Sequence, residues 1–435
     1  MSMAATVSGL LVAAPQSGSG KTVLTLALLR ALKDRGLEIS GAKAGPDFID
    51  PGFHALASGH SPLNLDPWAM QLNRLRDLAN RHAGTHLLIE GMMGLFDGAA
   101  DGTGSAADLA QALDIPVLLV VDAQKQSHSI AALVRGFRDH RPGLGICGVI
   151  LNRTGSERHE GMLREALAAI GMPVFGAVRR SDALHLPERH LGLVQAGEID
   201  SIEAFIAEAA EIVSRCVDLD AIGKEFLPIA EPAGAIAVVP PPAHHIAIAR
   251  DAAFTFIYPH QLEDWRRAGA EISLFSPLAD EGPNPNAGFI FLPGGYPELH
   301  AGAIAAAHRF KTAMRDAMER DAVIFGECGG YMVLGEGLED ASGERHAMCG
   351  LLRLETSFAR RKLHLGYRNV TALAGRFAGQ QFAAHEFHYS VALKEEGEAL
   401  FSASDALGVD LGTFGLVKGS VSGSYMHLID QRSGT

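Results

Sequence analysis

The first half of the chain alternates short apolar runs with longer segments that have helical periodicity. The apolar runs cover residues 9–14, 39–44, 86–90, 117–122, 146–152 and 174–178. Runs of this length, separated by helix-length segments, predict a parallel β-sheet with helices on both faces. This alternation restricts the first half to an open α/β fold.

The alternation restarts after a proline-rich segment. Residues 201–215 have the pattern of a helix that closes the first unit, and residues 231–245 are the candidate linker. Later apolar runs cover residues 246–249, 271–275, 289–292 and 323–327, and strand-like pieces follow near 421–428. A chain of 435 residues is too long for one ordinary core. We therefore predict two α/β domains, residues 1–240 and 245–435.

The composition is that of an ordinary globular protein, with 47% hydrophobic and 20% charged residues. The formal net charge is −13 and no long basic run occurs, which argues against nucleic acid or an anionic membrane as a partner. No apolar run approaches the ~18 residues of a membrane helix. The cysteines are Cys147, Cys216, Cys328 and Cys349. Because they lack C-x-x-C pairing, we expect neither disulfides nor a zinc site, and a cytoplasmic location.

A glycine-rich loop, PQSGSGKT, lies between the first predicted strand and the first predicted helix. In such a loop backbone N–H groups cradle phosphate, the lysine reaches the outer phosphates, and the hydroxyl binds Mg²⁺. The candidate nucleotide-binding residues are Gly18, Ser19, Gly20, Lys21 and Thr22. The usual pattern begins with glycine where this chain has Pro15, so a glycine-rich turn without a ligand is the alternative. We predict a site for ATP and Mg²⁺.

Two acidic segments, GPDFIDP and EGMMGLFDG, follow predicted strands. Ligand sites of open α/β sheets lie beyond the carboxyl ends of the strands, and Mg²⁺ prefers carboxylate oxygens. We therefore predict Asp47 and Glu90 as metal ligands beside Thr22. The alternative, that these acids cap helices or turns, suits Asp50 and Asp97. Glu90 fits it poorly, because a carboxylate at the end of a buried strand usually has a charged partner or a metal.

The segment FGECGGYM predicts a strand, a tight turn and a helix in the second half. A cysteine on such a turn faces a helix N-terminus, which favours its thiolate, so Cys328 is the candidate nucleophile rather than a small buried side chain. Its base is one of His364, His385, His388 and His427. Upstream, the turn at Gly294 and Gly295 offers backbone N–H groups for an oxyanion hole. An ordinary turn at the end of a strand is the alternative.

Nine segments together resemble the cobyrinic acid a,c-diamide synthase family, and among its members those that act on metal-free hydrogenobyrinic acid. They are, in order, the phosphate loop, GPDFIDP, NLDPW, EGMMGLFDG, LPERHLGL, LPGGYPE, FGECGGYMVLG, HEFHYS and SYMHL. No single segment is decisive, but the series covers nearly the whole chain. The resemblance implies a domain similar to dethiobiotin synthetase, followed by a class I glutamine amidotransferase domain.

The resemblance also implies roles for particular residues. The cysteine nucleophile falls on Cys328, and the histidine that activates it falls on His427. Many class I glutaminases have an acid two residues after this histidine, but here that position is Ile429. Asp430 would face the other side of a strand. A cysteine–histidine dyad is therefore the safer prediction, and the third group stays open.

The resemblance implies a reaction in cobalamin biosynthesis, in which ATP activates the a- and c-acetate carboxylates of a corrinoid as acyl phosphates and ammonia from glutamine displaces phosphate. We place the corrinoid over Phe48, Ile49 and Asp50. Glutamine and the corrinoid are the expected partners, and we allow for a homodimer. One alternative is a sister amidase acting on other corrinoid carboxylates or on a nickel tetrapyrrole. Another is a P-loop ATPase with a non-catalytic glutaminase-like module, against which Cys328 and His427 count.

Overall fold

The computed structural model describes residues 6–61, 63–81, 84–186, 188–189, 192–193, 196–199, 201–234, 236 and 238–432. Within the LPERHLGL segment, residues 187, 190 and 191 lie outside the described residues. The chain divides into two compact units, residues 1–236 and 237–435.

The first unit is built on a parallel β-sheet. Its strands are β1 (Ser8–Ala13), β2 (Ile39–Ala44), β3 (Leu63–Leu65), β4 (His86–Glu90), β5 (Val117–Asp122), β6 (Ile146–Thr154), β7 (Val174–Arg179), β8 (Glu188–Arg189), β9 (Gly192–Leu193) and β10 (Leu227–Pro228). Its helices are α1 (Lys21–Asp34), α2 (Asp50–Ser58), α3 (Leu72–Asn80), α4 (Ala106–Leu113), α5 (Ile130–Asp139), α6 (Glu157–Ala168), α7 (Ile202–Cys216) and α8 (Leu219–Gly223), with 3₁₀ turns at Asp182–Leu184 and Ala196–Glu198.

The strand order of this sheet is β3-β2-β4-β1-β5-β6-β7, with all neighbours parallel, and β10 pairs antiparallel with β1. The strands β8 and β9 lie outside it and form a separate antiparallel pair. The central strands β1, β4 and β5 are almost entirely buried, which requires cover on both faces. All six strands predicted for this half are present, with bounds within two residues of the prediction. Because parallel strands end at one edge, the segments after β1, β2, β4 and β6 come together there.

The second unit combines a mixed ten-stranded sheet with a four-stranded sheet. Its strands are β11 (His245–Ala249), β12 (Glu271–Phe275), β13 (Phe289–Leu292), β14 (Val323–Glu327), β15 (Gly337–Glu339), β16 (Arg345–Ala347), β17 (Leu354–Ser357), β18 (His364–Ala372), β19 (Gln381–His388), β20 (Val391–Glu395), β21 (Glu398–Asp405), β22 (Asp410–Lys418), β23 (Val421–Ser424) and β24 (Met426–Gln431). Its helices are α9 (Pro259–Arg267), α10 (Ala301–Ala306), α11 (His308–Glu319) and α12 (Gly329–Leu334), with 3₁₀ turns at Pro277–Ala279 and Pro297–Leu299.

The large sheet has the order β12-β11-β13-β14-β23-β22-β21-β18-β19-β24. β14 lies between β13 and β23 and is parallel to both. Its side chains alternate between two apolar clusters, so that Ile324 packs on one face of the sheet and Phe325 on the other. The strand that leads to Cys328 is therefore held from both faces and both edges.

The four parallel strands predicted for this half are present within one residue of their predicted bounds. The antiparallel strands β18, β20, β21 and β22 were not predicted, because they are partly exposed and lack a continuous apolar run. The predicted α/β class of both halves is confirmed. Within the described ranges, no helix combines the length and the apolar character needed to cross a membrane.

The packing of α12 against β13 predicts that Gly330 cannot accept a larger side chain. A Cβ atom at Gly330 would overlap the carbonyl oxygen of Leu292, so the backbone would have to shift. We expect Gly330→Ala to destabilise the second unit by about 1–3 kcal/mol, measured by thermal denaturation. Gly302→Ala in α10 is the control, because its nearest heavy atom would lie 3.9 Å away. Equal melting temperatures for the two variants would contradict this account of the packing.

Candidate functional site

The glycine-rich loop joins the end of β1 to the start of α1. The N-cap of α1 is Gly20, which has no side chain to occupy the first N–H groups of the helix, so these groups can bind a phosphate. Lys21 is buried, and its Nζ donates to the carbonyl of Met93 over 3.0 Å. Burial and the charge of Lys43 lower the pKa of Lys21 to about 8. The loop therefore presents N–H donors and a lysine together.

Two residues of β6 hold the loop in place. Asn152 Nδ2 donates to the carbonyl of Ser19 over 2.8 Å, and Arg153 Nη1 donates to the carbonyl of Gly18 over 2.8 Å. Arg153 also pairs with Asp122 at the end of β5, with 2.6 Å between Nη1 and Oδ2. A cavity of about 270 Å³ is bordered by these β6 residues and by Gly20. Its place beside the loop suits the base and sugar of a nucleotide.

Glu90, the last residue of β4, is fully buried among polar partners. Thr22 Oγ1 donates to its Oε1 over 2.5 Å, and Lys43 Nζ lies 2.9 Å from the same oxygen. His54 Nε2 lies 2.8 Å from Oε2. Burial alone would raise the pKa of Glu90, but the charge of Lys43 and the bond from His54 hold it well below its usual range. Glu90 is therefore an ionised carboxylate beside the loop hydroxyl.

Lys43, within β2, links Glu90 to Asp50 at the start of α2. Its Nζ forms a close ion pair with the Asp50 carboxylate. Burial opposes the charge of Lys43, but the carboxylates of Asp50 and Glu90 raise its pKa above the usual range. Burial and the charge of Asp47 raise the pKa of Asp50 to about 6, so both partners are ionised at neutral pH. The pair makes Asp50 part of a charged cluster rather than a simple turn residue.

Asp47 caps the first turn of α2. Its Oδ1 accepts from the backbone N–H groups of Ile49 and Asp50 over 2.8 Å and 2.9 Å. The other oxygen, Oδ2, is the one that can ligate a metal. Phe48 is half-buried and Ile49 is buried, so Phe48 is the more accessible of the two apolar residues among the three predicted substrate contacts.

Cys328 lies on a strained turn between β14 and α12. Its backbone has φ +46° and ψ −105°, which is an unusual conformation for a residue other than glycine. The backbone N–H donates to the carbonyl of Ser424 in β23 over 2.8 Å, which holds the turn against the neighbouring strand. Burial, with a contribution from Glu298, raises the pKa of the Cys328 thiol well above its usual range.

The structure brings Cys328, His427 and the turn at Gly294 to one point. A Cβ atom at Gly294 would lie 3.3 Å from both Cys328 Cβ and His427 Nε2, and would overlap His427 Cε1. The N–H of Gly295 faces the start of α12, since a Cβ at Gly329 would lie 3.1 Å from that nitrogen. The Gly–Gly turn can therefore supply N–H groups beside the cysteine, as an oxyanion hole requires.

The other three candidate histidines have different surroundings. His385 in β19 pairs across from His427, and burial lowers its pKa to about 3. The rings of His364 and His388 stack with centroids 4.6 Å apart, and His388 Nε2 lies 3.1 Å from Glu386 Oε1. The possible ligand atoms of these two histidines and Glu386 are close enough together to hold a metal ion. Glu386, however, already pairs with Arg368 over 2.8 Å. Of the four histidines, His427 has the best position to act as the base.

Glu327, directly before Cys328, approaches the other side of His427. Its Oε2 lies 3.7 Å from His427 Nδ1, and its Oε1 accepts from the backbone N–H of Leu428 over 3.2 Å. Burial raises the pKa of Glu327 to about 8, and burial lowers the pKa of His427 to about 3. All three groups at this site therefore favour their uncharged forms at rest.

Sequence reasoning missed several of these residues, among them Lys43, His54, Asn152, Arg153 and Glu327. Lys43 carried a usable signal, because a lysine inside a buried strand needs an acidic partner. Glu327 carried the same signal as Glu90, since each ends a buried strand. His54 and Asn152 carried none, because their roles depend on contacts made far along the chain.

Two family models match the chain. Residues 10–194 match the CobQ/CobB/MinD/ParA nucleotide binding domain, and residues 245–434 match the CobB/CobQ-like glutamine amidotransferase domain. The predicted order of a P-loop domain and a class I glutamine amidotransferase domain is thereby confirmed.

Curated relatives match over nearly the whole chain. Hydrogenobyrinate a,c-diamide synthase from Sinorhizobium sp is 56% identical, with 98% of this chain and 99% of the relative covered. The protein of the same name from Brucella abortus biovar 1 (strain 9-941) is 57% identical with the same coverage. The one from Mesorhizobium japonicum is 50% identical and covers 98% of this chain and 100% of its own length.

The buried charge cluster predicts that replacing Lys43 will cost much more stability than replacing an exposed arginine. Lys43→Met should destabilise the first unit by about 3–5 kcal/mol, because Asp50 and Glu90 would lose their shared cation. Arg35→Met is the control, since its pair with Asp220 is exposed and should contribute at most about 1 kcal/mol. Denaturant unfolding measures both. Adding Asp50→Asn to Lys43→Met should recover part of the loss, and equal stability of the two single variants would contradict the importance of the cluster.

Proposed function

Because this chain belongs to the hydrogenobyrinate a,c-diamide synthase family, we propose that it amidates the a- and c-acetate carboxylates of hydrogenobyrinic acid. The enzyme is a carbon–nitrogen ligase of cobalamin biosynthesis, with glutamine as the amido donor. The observation that carries the proposal is the meeting of Cys328, His427 and Gly294 in one unit, while the other unit has a phosphate loop beside the ionised Glu90. Glutamine-dependent amidation needs both arrangements.

In the second unit, the Cys328 sulfur attacks the side-chain amide carbon of glutamine. His427 takes the thiol proton and passes it to the leaving nitrogen, and the Gly294–Gly295 turn donates N–H groups to the oxyanion. Ammonia leaves, and water hydrolyses the thioester to glutamate. The strained turn supports this role because it places Cys328 beside His427 and the Gly294–Gly295 turn. Burial keeps the resting thiol protonated, so His427 must remove its proton as the sulfur attacks.

In the first unit, the loop of Gly18, Ser19 and Gly20 binds the phosphates of ATP, with the base in the adjoining cavity. Lys21 carries positive charge to the outer phosphates. The substrate carboxylate attacks the γ-phosphate, which releases ADP and gives an acyl phosphate, and ammonia then displaces phosphate from the acyl carbon to give the amide. Positioning and charge neutralisation provide most of the catalysis in such a transfer.

The residues beside the loop suit Mg²⁺. The hydroxyl of Thr22 and the carboxylate of Glu90 touch each other, and both are the hard oxygen donors that this ion prefers. Thr22, Glu90 and Oδ2 of Asp47 would hold the ion. When bound, it would neutralise phosphate charge. Lys43 and His54 would orient Glu90, because they contact both of its oxygens.

We propose that the corrinoid lies over the turn before α2, where Phe48 offers a half-buried ring and Asp50 a carboxylate held by Lys43. The enzyme would act in the cytoplasm, where its free cysteines stay reduced. The homodimer stays a prediction.

The proposed substrate leads to a direct assay. With ATP, Mg²⁺ and glutamine, the protein should convert two carboxylates of hydrogenobyrinic acid to amides, as detected by mass spectrometry and by the positions of the amides. Parallel reactions contain cobyrinic acid and a nickel tetrapyrrole acid. Amides on other carboxylates, or amidation of the nickel compound alone, would favour the sister amidases. ATP hydrolysis without glutamate release would favour the ATPase with a non-catalytic module.

Two variants should separate the half-reactions. Cys328→Ser should lose glutamine-dependent amidation but keep ammonia-dependent amidation near wild type, because serine is a far weaker nucleophile at a site built for a thiol. Lys21→Ala should lose synthesis with both nitrogen sources while it retains glutamate release at least in part. Product and glutamate are measured for each variant with each nitrogen source. Loss of ammonia-dependent activity in a folded Cys328→Ser protein would refute this division of labour.

A further inference from the structure

The two oxygens of the Glu327 carboxylate both point at β24, the strand that carries His427. Oε1 accepts from the Leu428 N–H over 3.2 Å, and Oε2 lies 3.7 Å from His427 Nδ1. Glu327 is only 4% exposed and His427 only 1%. The carboxylate is therefore anchored by the backbone next to the histidine, with one oxygen left to face the ring.

The two ring nitrogens of His427 face different neighbours. Nε2 and Cε1 face Gly294, where an added Cβ atom would lie 3.3 Å from both His427 Nε2 and Cys328 Cβ. Nδ1 faces Glu327. A base that takes the thiol proton through Nε2 must carry its own hydrogen on Nδ1. An acceptor opposite Nδ1 selects this tautomer and stabilises the imidazolium that forms. Glu327 occupies that place.

The position two residues after His427 cannot serve this purpose. Ile429 is apolar and fully buried. The next residue, Asp430, uses Oδ1 to accept from the backbone N–H of Gln431 over 2.9 Å. Glu327 reaches His427 from the end of β14 instead, because it directly precedes the nucleophile.

We propose that Glu327 is the positioning residue of the glutaminase site, replacing an acid after the histidine by one before the cysteine. The proposal rests on the proposed function. As the Cys328 sulfur bonds to the amide carbon of glutamine, the thiol proton moves to His427 Nε2. The carbon–nitrogen bond then breaks, and that proton leaves with ammonia. Glu327 keeps the hydrogen on Nδ1 throughout and exchanges no proton with the substrate.

The surroundings of the pair give it a defined pH dependence. Cys328 interacts electrostatically with Glu327, and His385 and His388 interact with His427. Glu298 after β13 and Glu386 on β19 interact with Cys328, and Asp430 on β24 lines the same cavity as Glu327. A cavity of about 30 Å³ lined mainly by aromatic rings borders Glu327 and keeps it in an apolar setting. Burial raises the pKa of Glu327 to about 8. Because the ionised form is the acceptor, glutamine hydrolysis should rise as pH increases through that value.

The test compares Glu327→Gln, Glu327→Asp and Asp430→Asn in the full chain. The side chain introduced by Glu327→Gln keeps the size of the original and an oxygen that can accept from the Leu428 N–H. Its amide N–H can, however, donate to His427 Nδ1 and so favour the tautomer that carries its hydrogen on Nε2. We expect Glu327→Gln to lower kcat for glutamate release about 10²–10⁴-fold, with KM for glutamine changed little. Ammonia-dependent amidation should stay near wild type. Glu327→Asp keeps the charge and should lose less activity, and Asp430→Asn should lose little.

The pH profile supplies a readout that a merely structural role would not move. In wild type kcat should rise through pH about 8, and Glu327→Gln should lack this rise. If Glu327→Gln does not fold, as judged by its melting temperature, the pH profile of Glu327→Asp is measured instead. In that variant kcat should rise at a different pH from that of wild type.

Unchanged kcat and pH profile in folded Glu327→Gln would overturn the inference while leaving the proposed function intact. So would a larger loss in Asp430→Asn than in Glu327→Gln. Absence of glutamate release from the wild-type protein would instead overturn the proposed function, and this inference with it.

Discussion

One geometric constraint underlies both candidate sites: a buried parallel strand ends and the chain must turn at once into a helix. After β1 this turn is the phosphate loop before α1, and after β14 it is the strained turn at Cys328 before α12. Each turn points backbone N–H groups outward from the helix start. Because neighbouring strands are parallel, their ends supply the partners, as Glu90 of β4 does for Thr22 of α1.

The two sites treat charge in opposite ways. In the first unit the buried charges of Lys43, Asp50 and Glu90 pair with one another, and Lys43 and His54 keep the Glu90 carboxylate ionised. In the second, burial raises the pKa of Cys328 and lowers that of His427, so the groups rest uncharged. Permanently ionised side chains suit the binding of a phosphate, which is always charged. A neutral resting state suits a reaction in which charge appears only when the substrate arrives.

The sequence predicted the parts of the molecule that depend on local pattern. Ten parallel strands are continuous apolar runs, so their bounds were predicted within two residues, and the two turns carry recognisable glycines. The short parallel strand β3 was not predicted. The antiparallel strands β18, β20, β21 and β22 escaped prediction because they are partly exposed and lack that pattern, and β19 escaped it although most of it is buried. Within the sites, the ends of strands were predictable, but partnerships were not. That His54 contacts Glu90, and that Glu327 faces His427, depends on pairings between residues distant in the chain.

The burial of Cys328 has a consequence for the lifetime of the enzyme in a cell. Peroxide oxidises thiolates far more readily than thiols, and it needs access to the sulfur. Cys328 is 3% exposed, and burial holds the pKa of its thiol well above the usual range. The idle enzyme therefore keeps its nucleophile in a form that resists oxidative damage, and the sulfur becomes vulnerable chiefly during turnover.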